Sequence, residues 1–296
     1  MSILIYRLKI FSLPNISKRW VILAFIIKIG AGAALGFLYT HHYTDRMKAD
    51  TFKFFDDSGV LLDALAVNPR HFFELLTGIG LDDPELEPYF FKMNTWLTED
   101  FYITSNRMMI RLNLMFRFLT PPGEHYYVHV VLINFLSLLG LIFLCKAFFL
   151  KLKQHNKLFL LSLILFPSVL FWGSGLLKDG IIIFALGSMM YSFSRMLNGY
   201  KHKWLSGFVF AMSALLLALI KIYILFAMIP ALAGWIWCSF RPQRIKTKFI
   251  ITHLACFLIV ALAHVTSLKF DPVHYLNQKQ LEFFKVVESE KPNHVI

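Results

Sequence analysis

The chain has 296 residues, 57% of them apolar and only 16% charged, with 31 phenylalanines and a formal net charge of +12. A soluble domain runs at roughly 45–50% apolar and about 25% charged, and a disordered chain is poorer still in aromatics, so both classes are excluded and a polytopic membrane protein remains. Cys145, Cys238 and Cys256 stand singly in apolar runs, which supports neither a disulfide framework nor a zinc ribbon.

A helix that crosses hydrocarbon needs about 20 mostly apolar residues. Seven stretches meet this, at 20–39, 128–150, 158–177, 180–197, 204–220, 222–240 and 249–265. The third and fourth are separated only by Lys178 and Asp179, and the fifth and sixth only by Lys221. Each combined stretch is nearly twice as long as the ~30 Å core is thick, so each should turn back as a hairpin with the lone charges at its tip. The expected fold is an all-α integral membrane protein, one polytopic domain over 1–296, with about seven transmembrane helices.

Arginine and lysine set the orientation. Segments 1–19, 151–157, 195–203 and 241–248 are basic and contain no acid, whereas 41–125 carries 13 acidic and 8 basic side chains. The amino terminus is therefore expected inside, with the 41–125 loop, both hairpin tips and the 266–296 tail outside. The basic excess then marks topology and contact with anionic lipid, and gives no reason to expect nucleic acid. Lys18 and Arg19, followed by an apolar run and Ala31-Gly32-Ala33, also have the outline of a cleaved leader. The long leading segment and the continuation of the run through Leu35, Phe37 and Tyr39 favour a retained helix.

A loop of this length should hold structure of its own. Phe52, Phe55, Leu62 and Leu65 recur at helical spacing among Asp56, Asp57 and Asp63, which predicts an amphipathic helix on the outer leaflet. Asn68-Pro69 caps and opens a second helix that Gly78 can end. Residues 82–88 read as a Pro-flanked linker. Arg107, Arg111, Asn113 and Arg117, interleaved with apolar residues, predict a further interfacial helix. No internal repeat is visible.

Ionisable residues at membrane depth and on hairpin tips are the candidates for chemistry. Lys28 lies near the middle of the first span, about 12 Å from its start, too deep for easy snorkelling, and is expected to face the bundle interior. The run 167–180, rich in glycine and ending in Lys178-Asp179, places a cation at the head of the fourth span, and Lys221 sits on the neighbouring tip. Interface anchoring would account for either lysine alone. Together with Arg107 and Arg111 they could hold a phosphate or pyrophosphate group. Asp45, Asp50, Asp56 and Asp57 follow the first span among aromatics, where one of them could act as a general base.

The first span followed by His41-His42-Tyr43, then Asp50-Thr51 among aromatics, the large amphipathic outer loop and the later Pro-Ser-x-x-x-Trp-x-Ser-Gly-x-x-Lys-Asp run resemble bacterial polytopic envelope glycosyltransferases of the GT-C type, most clearly over residues 20–180. That resemblance implies transfer of a sugar from a polyprenyl-phosphate-linked donor to an envelope glycan or lipid acceptor on the outer face of the bacterial cytoplasmic membrane. By position it implies Asp50 as the catalytic base, with Asp45, Asp56 and Asp57 as alternatives. The Lys178-Asp179 pair matches the tip motif of the family, and with the cations Lys221, Arg107 and Arg111 it is the expected substrate-binding set; no cofactor or metal is expected. The acids that such enzymes place together are spread out here, and Asp50 follows a basic Arg46-Met47-Lys48 stretch.

Three other chemistries compete. His41-His42 with Asp45, or His125 with His129, could hold a metal, but no third ligand is fixed by spacing. His253 or His264 with Ser174 would suggest an intramembrane serine protease, although Trp172 breaks the Gly-x-Ser-Gly pattern. A non-catalytic transporter or assembly protein for envelope lipids or polysaccharide is the alternative from a different class.

Overall fold

The computed structural model describes residues 1–42, 45–94, 105–121, 123, 125–152, 156–199 and 202–265, with isolated positions between 273 and 284. Tyr43, Lys153, Lys201 and most of the 266–296 tail lie outside the described residues. Among the described residues the chain is helical, with one isolated bridge between Leu13 and Ile16 and no strand. In order the helices are α1 (Ser2–Arg7), α2 (Lys18–His42), α3 (Asp50–Val67), α4 (Pro69–Thr77), α5 (Glu87–Lys92), α6 (Ser105–Phe118), α7 (Tyr126–Leu152), α8 (Asn156–Leu165), α9 (Pro167–Phe171), α10 (Lys178–Leu197), α11 (Lys203–Phe240) and α12 (Ile245–Val265).

Five of these, α2, α7, α10, α11 and α12, are long and apolar enough to cross a membrane, and the bent pair α8–α9 makes a sixth if it is one span. The stretch 158–177, expected as one span, is broken. Phe166 is extended before Pro167, whose ring disfavours helix at the preceding residue, and the chain turns by 71° there. A 3-10 turn over Trp172–Ser174 then leads to α10. The expected division at Lys221 appears as a loss of helical geometry (φ −150°, ψ 82°) inside the 38-residue α11. The count reaches the expected seven only if that break also separates two spans.

The chain divides at this break into a larger unit, ending at Lys221, and a smaller one from Ile222 on. In the larger unit α7 and α10 form the tightest pair, because Gly140 and Gly187 let the backbones touch: a Cβ on Gly187 would lie 1.9 Å from Gly140 O. Small residues at such crossings are how helices approach closely where lipid supplies no hydrophobic drive. α2 packs on α7, and the amino-terminal segment adds Ile5, Phe11 and Leu13 to a core shared with Phe25, Leu138 and Ile142.

Among its described residues the 41–125 region holds helices α3 to α6. Asn68 caps α4 by accepting from Arg70 N, and Gly78 ends it in the left-handed conformation (φ 81°). The helix expected around Phe52 to Leu65 is α3, which packs on α6 and on the head of α7. Phe52 and Phe55 meet the Tyr126 ring at 4.9 and 5.8 Å, and Thr51 Oγ1 lies 2.6 Å from Tyr126 OH. From α6, Arg117 donates to Ser58 Oγ and Phe55 O, both at 2.7 Å, with its guanidinium over the Phe55 ring. The 82–88 linker is corrected too: Asp83 caps a 3-10 turn over Pro84–Leu86, and α5 starts directly after it.

Within the smaller unit, Gly234 sits against Phe249 and Thr252, and Lys248 donates to Arg241 O. Leu254, Phe257 and Leu262 of α12 are exposed, which is the pattern of a helix whose solvent is lipid.

Candidate functional site

The site is built around the turn that feeds α10. Lys28, fully buried on α2, donates to Gly173 O at 3.0 Å and to Ser174 Oγ at 2.9 Å. Asn134 of α7 donates to Ser174 O at 2.7 Å. Gly32, one turn beyond Lys28, makes room for this contact: a Cβ there would stand 2.3 Å from Ser174 O. Two helices therefore clamp the turn by its backbone, and a buried amine is tolerable only when such acceptors replace water. The inward role expected for Lys28 is observed. Ser174 is satisfied by this lysine, and the proposed pairing of Ser174 with a histidine draws no support from its contacts.

Held this way, the turn presents Lys178 and Asp179 as the first residues of α10. Lys178 donates to Ser105 Oγ at 2.8 Å and lies 5.8 Å from the Phe54 ring centre. Asp50, exposed on the first turn of α3, is close enough to Lys178 to attract its charge, and Asp179 and Lys221 act on it as well. Lys221 Nζ is 3.5 Å from Asp179 Oδ1. Lys178, Asp179 and Lys221 thus gather at the head of one helix, with Asp50, 171 positions before Lys221, within electrostatic reach of Lys178.

The two arginines sit further along α6, whose first residue is the Ser105 that Lys178 contacts. Arg107 and Arg111 share a helix face and repel each other, while Asp57 attracts Arg107. Burial is the main cause that lowers both guanidinium pKa values, yet arginine stays charged at any neutral pH. Nε and Nη2 of Arg111 are buried and reach no acceptor among the described residues, whereas its Nη1 lies 3.7 Å from Met108 Sδ. An unmade hydrogen bond to a buried cation is costly, so an anionic ligand is the natural complement.

The alternative acids are distinguished by their surroundings. Asp56 is held by a bidentate pair to Arg46 at 2.8 Å. Asp57 is fully buried, and its Oδ1 accepts from Asn94 N at 2.8 Å and Asn94 Nδ2 at 2.6 Å. Asp45 is exposed on the bend before α3. Neither histidine pair assembles a metal site: His41 Nδ1 lies 2.8 Å from Phe37 O, His129 is buried against Asn113 Oδ1 at 2.9 Å, and no three ligating side chains converge among the described residues.

Sequence reasoning missed Ser105, Asn94 and Asn134. For Asn134 a signal existed, since an amide in the middle of an apolar span is as costly as a charge is conspicuous. Ser105 and Asn94 lie in polar surroundings, and only their tertiary partners single them out. Compared with known proteins, the chain matches no protein-family model, no curated protein and no solved structure.

Proposed function

We propose that the chain is a membrane glycosyltransferase-like enzyme that takes a sugar from a polyprenyl-phosphate-linked donor and passes it to an envelope glycan or lipid acceptor. The observation that carries this reading is an exposed carboxylate, Asp50, within electrostatic reach of Lys178 at the head of α10, whose contact Ser105 opens a helix bearing Arg111, with Nε and Nη2 unmet among the described residues. In the transfer the acceptor hydroxyl loses its proton to Asp50 as its oxygen bonds the anomeric carbon. The bond from that carbon to the donor phosphate breaks, and the phosphate keeps the electron pair. Lys178, Lys221, Arg107 and Arg111 offset the charge that develops on it, in a setting partly withdrawn from water. Asp179 holds Lys221 in place.

The reading includes a seven-span topology in the bacterial cytoplasmic membrane, with the amino terminus inside and the 41–125 region outside. That orientation puts Asp50 and Lys178 at the outer surface, where polyprenyl donors present their sugars to envelope acceptors.

The test is turnover of a defined polyprenyl-phosphate sugar by the purified protein. Asp50→Asn keeps the shape but cannot take a proton at neutral pH, so transfer should fall roughly 10²–10⁴-fold with donor binding retained. Asp63→Asn, an exposed acid of the same helix, should leave turnover unchanged. Wild-type turnover by the Asp50 variant would reject it as the base, and the same change at Asp45, Asp56 and Asp57 would identify another acid. Donor binding without transfer by the wild type would favour a non-catalytic lipid carrier.

A further inference from the structure

A second cationic site lies at the other end of α10. Its last turn carries Arg195, 17 residues after Lys178, which at helical rise is about 26 Å away. A cavity of about 390 Å³ opens there, within the size range of small-ligand pockets. Lys9, Lys146 and Arg195 line it together with Ser188, Ser192 and Ser206, and no acid is among its described lining residues. Four separate stretches of chain supply these groups: the turn after α1, the end of α7, the end of α10 and the start of α11.

Two features mark the cavity as a binding site and not merely a basic surface. Ser188 is only 3% exposed and its Oγ has no hydrogen-bond partner among the described residues, so a buried hydroxyl faces this cavity. The cations are also pre-positioned. Tyr191 stacks on Phe143 at 5.2 Å and lies 5.9 Å from Lys146 Nζ and 5.7 Å from the Arg195 guanidinium carbon, while Lys146 donates to Ile10 O. Cations fixed on an aromatic ring lose little further freedom when an anion arrives.

We propose that this cavity binds a phosphate group, carried either by the head of an anionic phospholipid or by a soluble phosphate. Three cations, with no acid among the described lining residues, give the charge, and the Ser188 hydroxyl is placed to donate to a phosphate oxygen, whereas that of Ser206 is turned to His202 O. Ile10, Leu205 and Val209 at the rim offer apolar contact to acyl chains. Basic pockets between membrane helices commonly take anionic lipid heads, at about 1 kcal/mol per cation, which is about fivefold in affinity. The site is independent of the transferase reading, since no residue of it belongs to the Lys178 cluster.

The test is binding to the purified full-length protein in a nonionic detergent, by native mass spectrometry and titration. The probes are short-chain phosphatidylglycerol, short-chain phosphatidylcholine, inorganic phosphate and pyrophosphate. Phosphatidylglycerol should bind at least tenfold tighter than phosphatidylcholine, with Lys9→Gln weakening it about fivefold and Lys146→Gln with Arg195→Gln about 25-fold. Lys157→Gln, an exposed lysine stacked on Trp20, should change nothing. Equal sensitivity of inorganic phosphate or pyrophosphate binding to the same variants would support the site with a soluble source. Should the double variant not fold, Lys9→Gln decides alone, because that residue is exposed. The proposal fails if the wild type binds none of the anionic probes saturably, if Lys9→Gln leaves their binding unchanged, or if binding is lost only in Lys178→Gln.

Discussion

Gly30 and Gly32 show how far two identical residues on one helix can differ. A Cβ on Gly30 meets nothing within 4 Å, whereas one on Gly32 collides with Ser174 O at 2.3 Å, Val130 Cγ1 at 2.7 Å and Asn134 Nδ2 at 2.9 Å. The first obstacle is backbone and cannot rotate away. Gly32→Ala should therefore push α2 off the turn that Lys28 and Asn134 hold, costing about 1–3 kcal/mol, while Gly30→Ala should be neutral or stabilise by up to about 1 kcal/mol. Thermal unfolding of the two variants in detergent checks this, and equal melting temperatures would mean that the turn is not clamped. Lys28 itself was legible as an inward residue because its depth in an apolar span left it no easy route to water. Its partners, a carbonyl and a hydroxyl 145 and 146 residues away, were not, because nothing in local sequence encodes a contact at that separation.

At the scale of elements, the α7–α10 crossing depends on Gly140 and Gly187. A valine at Gly187 would need space now filled by Gly140 carbonyl, carbon and Cα atoms, all within 2.8 Å of a Cβ. Gly187→Val should abolish the folded state or leave it detectably open by cysteine crosslinking, whereas Gly207→Ala, with nothing within 4 Å, should not. In α4 the effect is smaller and local. Asn68→Ala removes the acceptor for Arg70 N and should cost about 1 kcal/mol, read as faster hydrogen exchange in the first turn of Pro69–Thr77 alone. Helices α3, α4 and α6 were readable from apolar periodicity, a cap and a stop. The 82–88 segment was not, because two closely spaced prolines suit a linker as well as they suit the first turns that Pro84 and Pro88 occupy, where a missing N–H costs nothing.

For the whole molecule, the basic segments predict sidedness. A cysteine introduced at Lys203 or Lys246 should resist an impermeant thiol reagent in intact cells, and one at Asp83 should react, after the three native cysteines are replaced. Reversed labelling would place Asp50 and Lys178 inside and remove the basis for transfer on the outer face. It would leave the phosphate cavity beside Arg195 intact but assign it to the opposite leaflet.

Composition alone determined the class, since so apolar a chain can bury its side chains only in lipid, and lone charges marked the breaks at Lys178 and Lys221 but not the one at Pro167. Tertiary structure decided which charges meet. Lys178 comes within electrostatic reach of Asp50 because Lys28, Asn134 and Gly32 fix the turn before α10 while Ser105 and Phe54 receive the lysine. The same step separated Asp56 and Asp57 from Asp50, by giving the first an arginine and burying the second under Asn94. It also gathered Lys9 and Arg195, which in sequence belong to the topogenic charge excess, and Lys146, which lies inside the second apolar stretch, around one cavity. Periodicity is a property of a single helix, whereas a site is a property of helices packed against one another, and only packing carries that information.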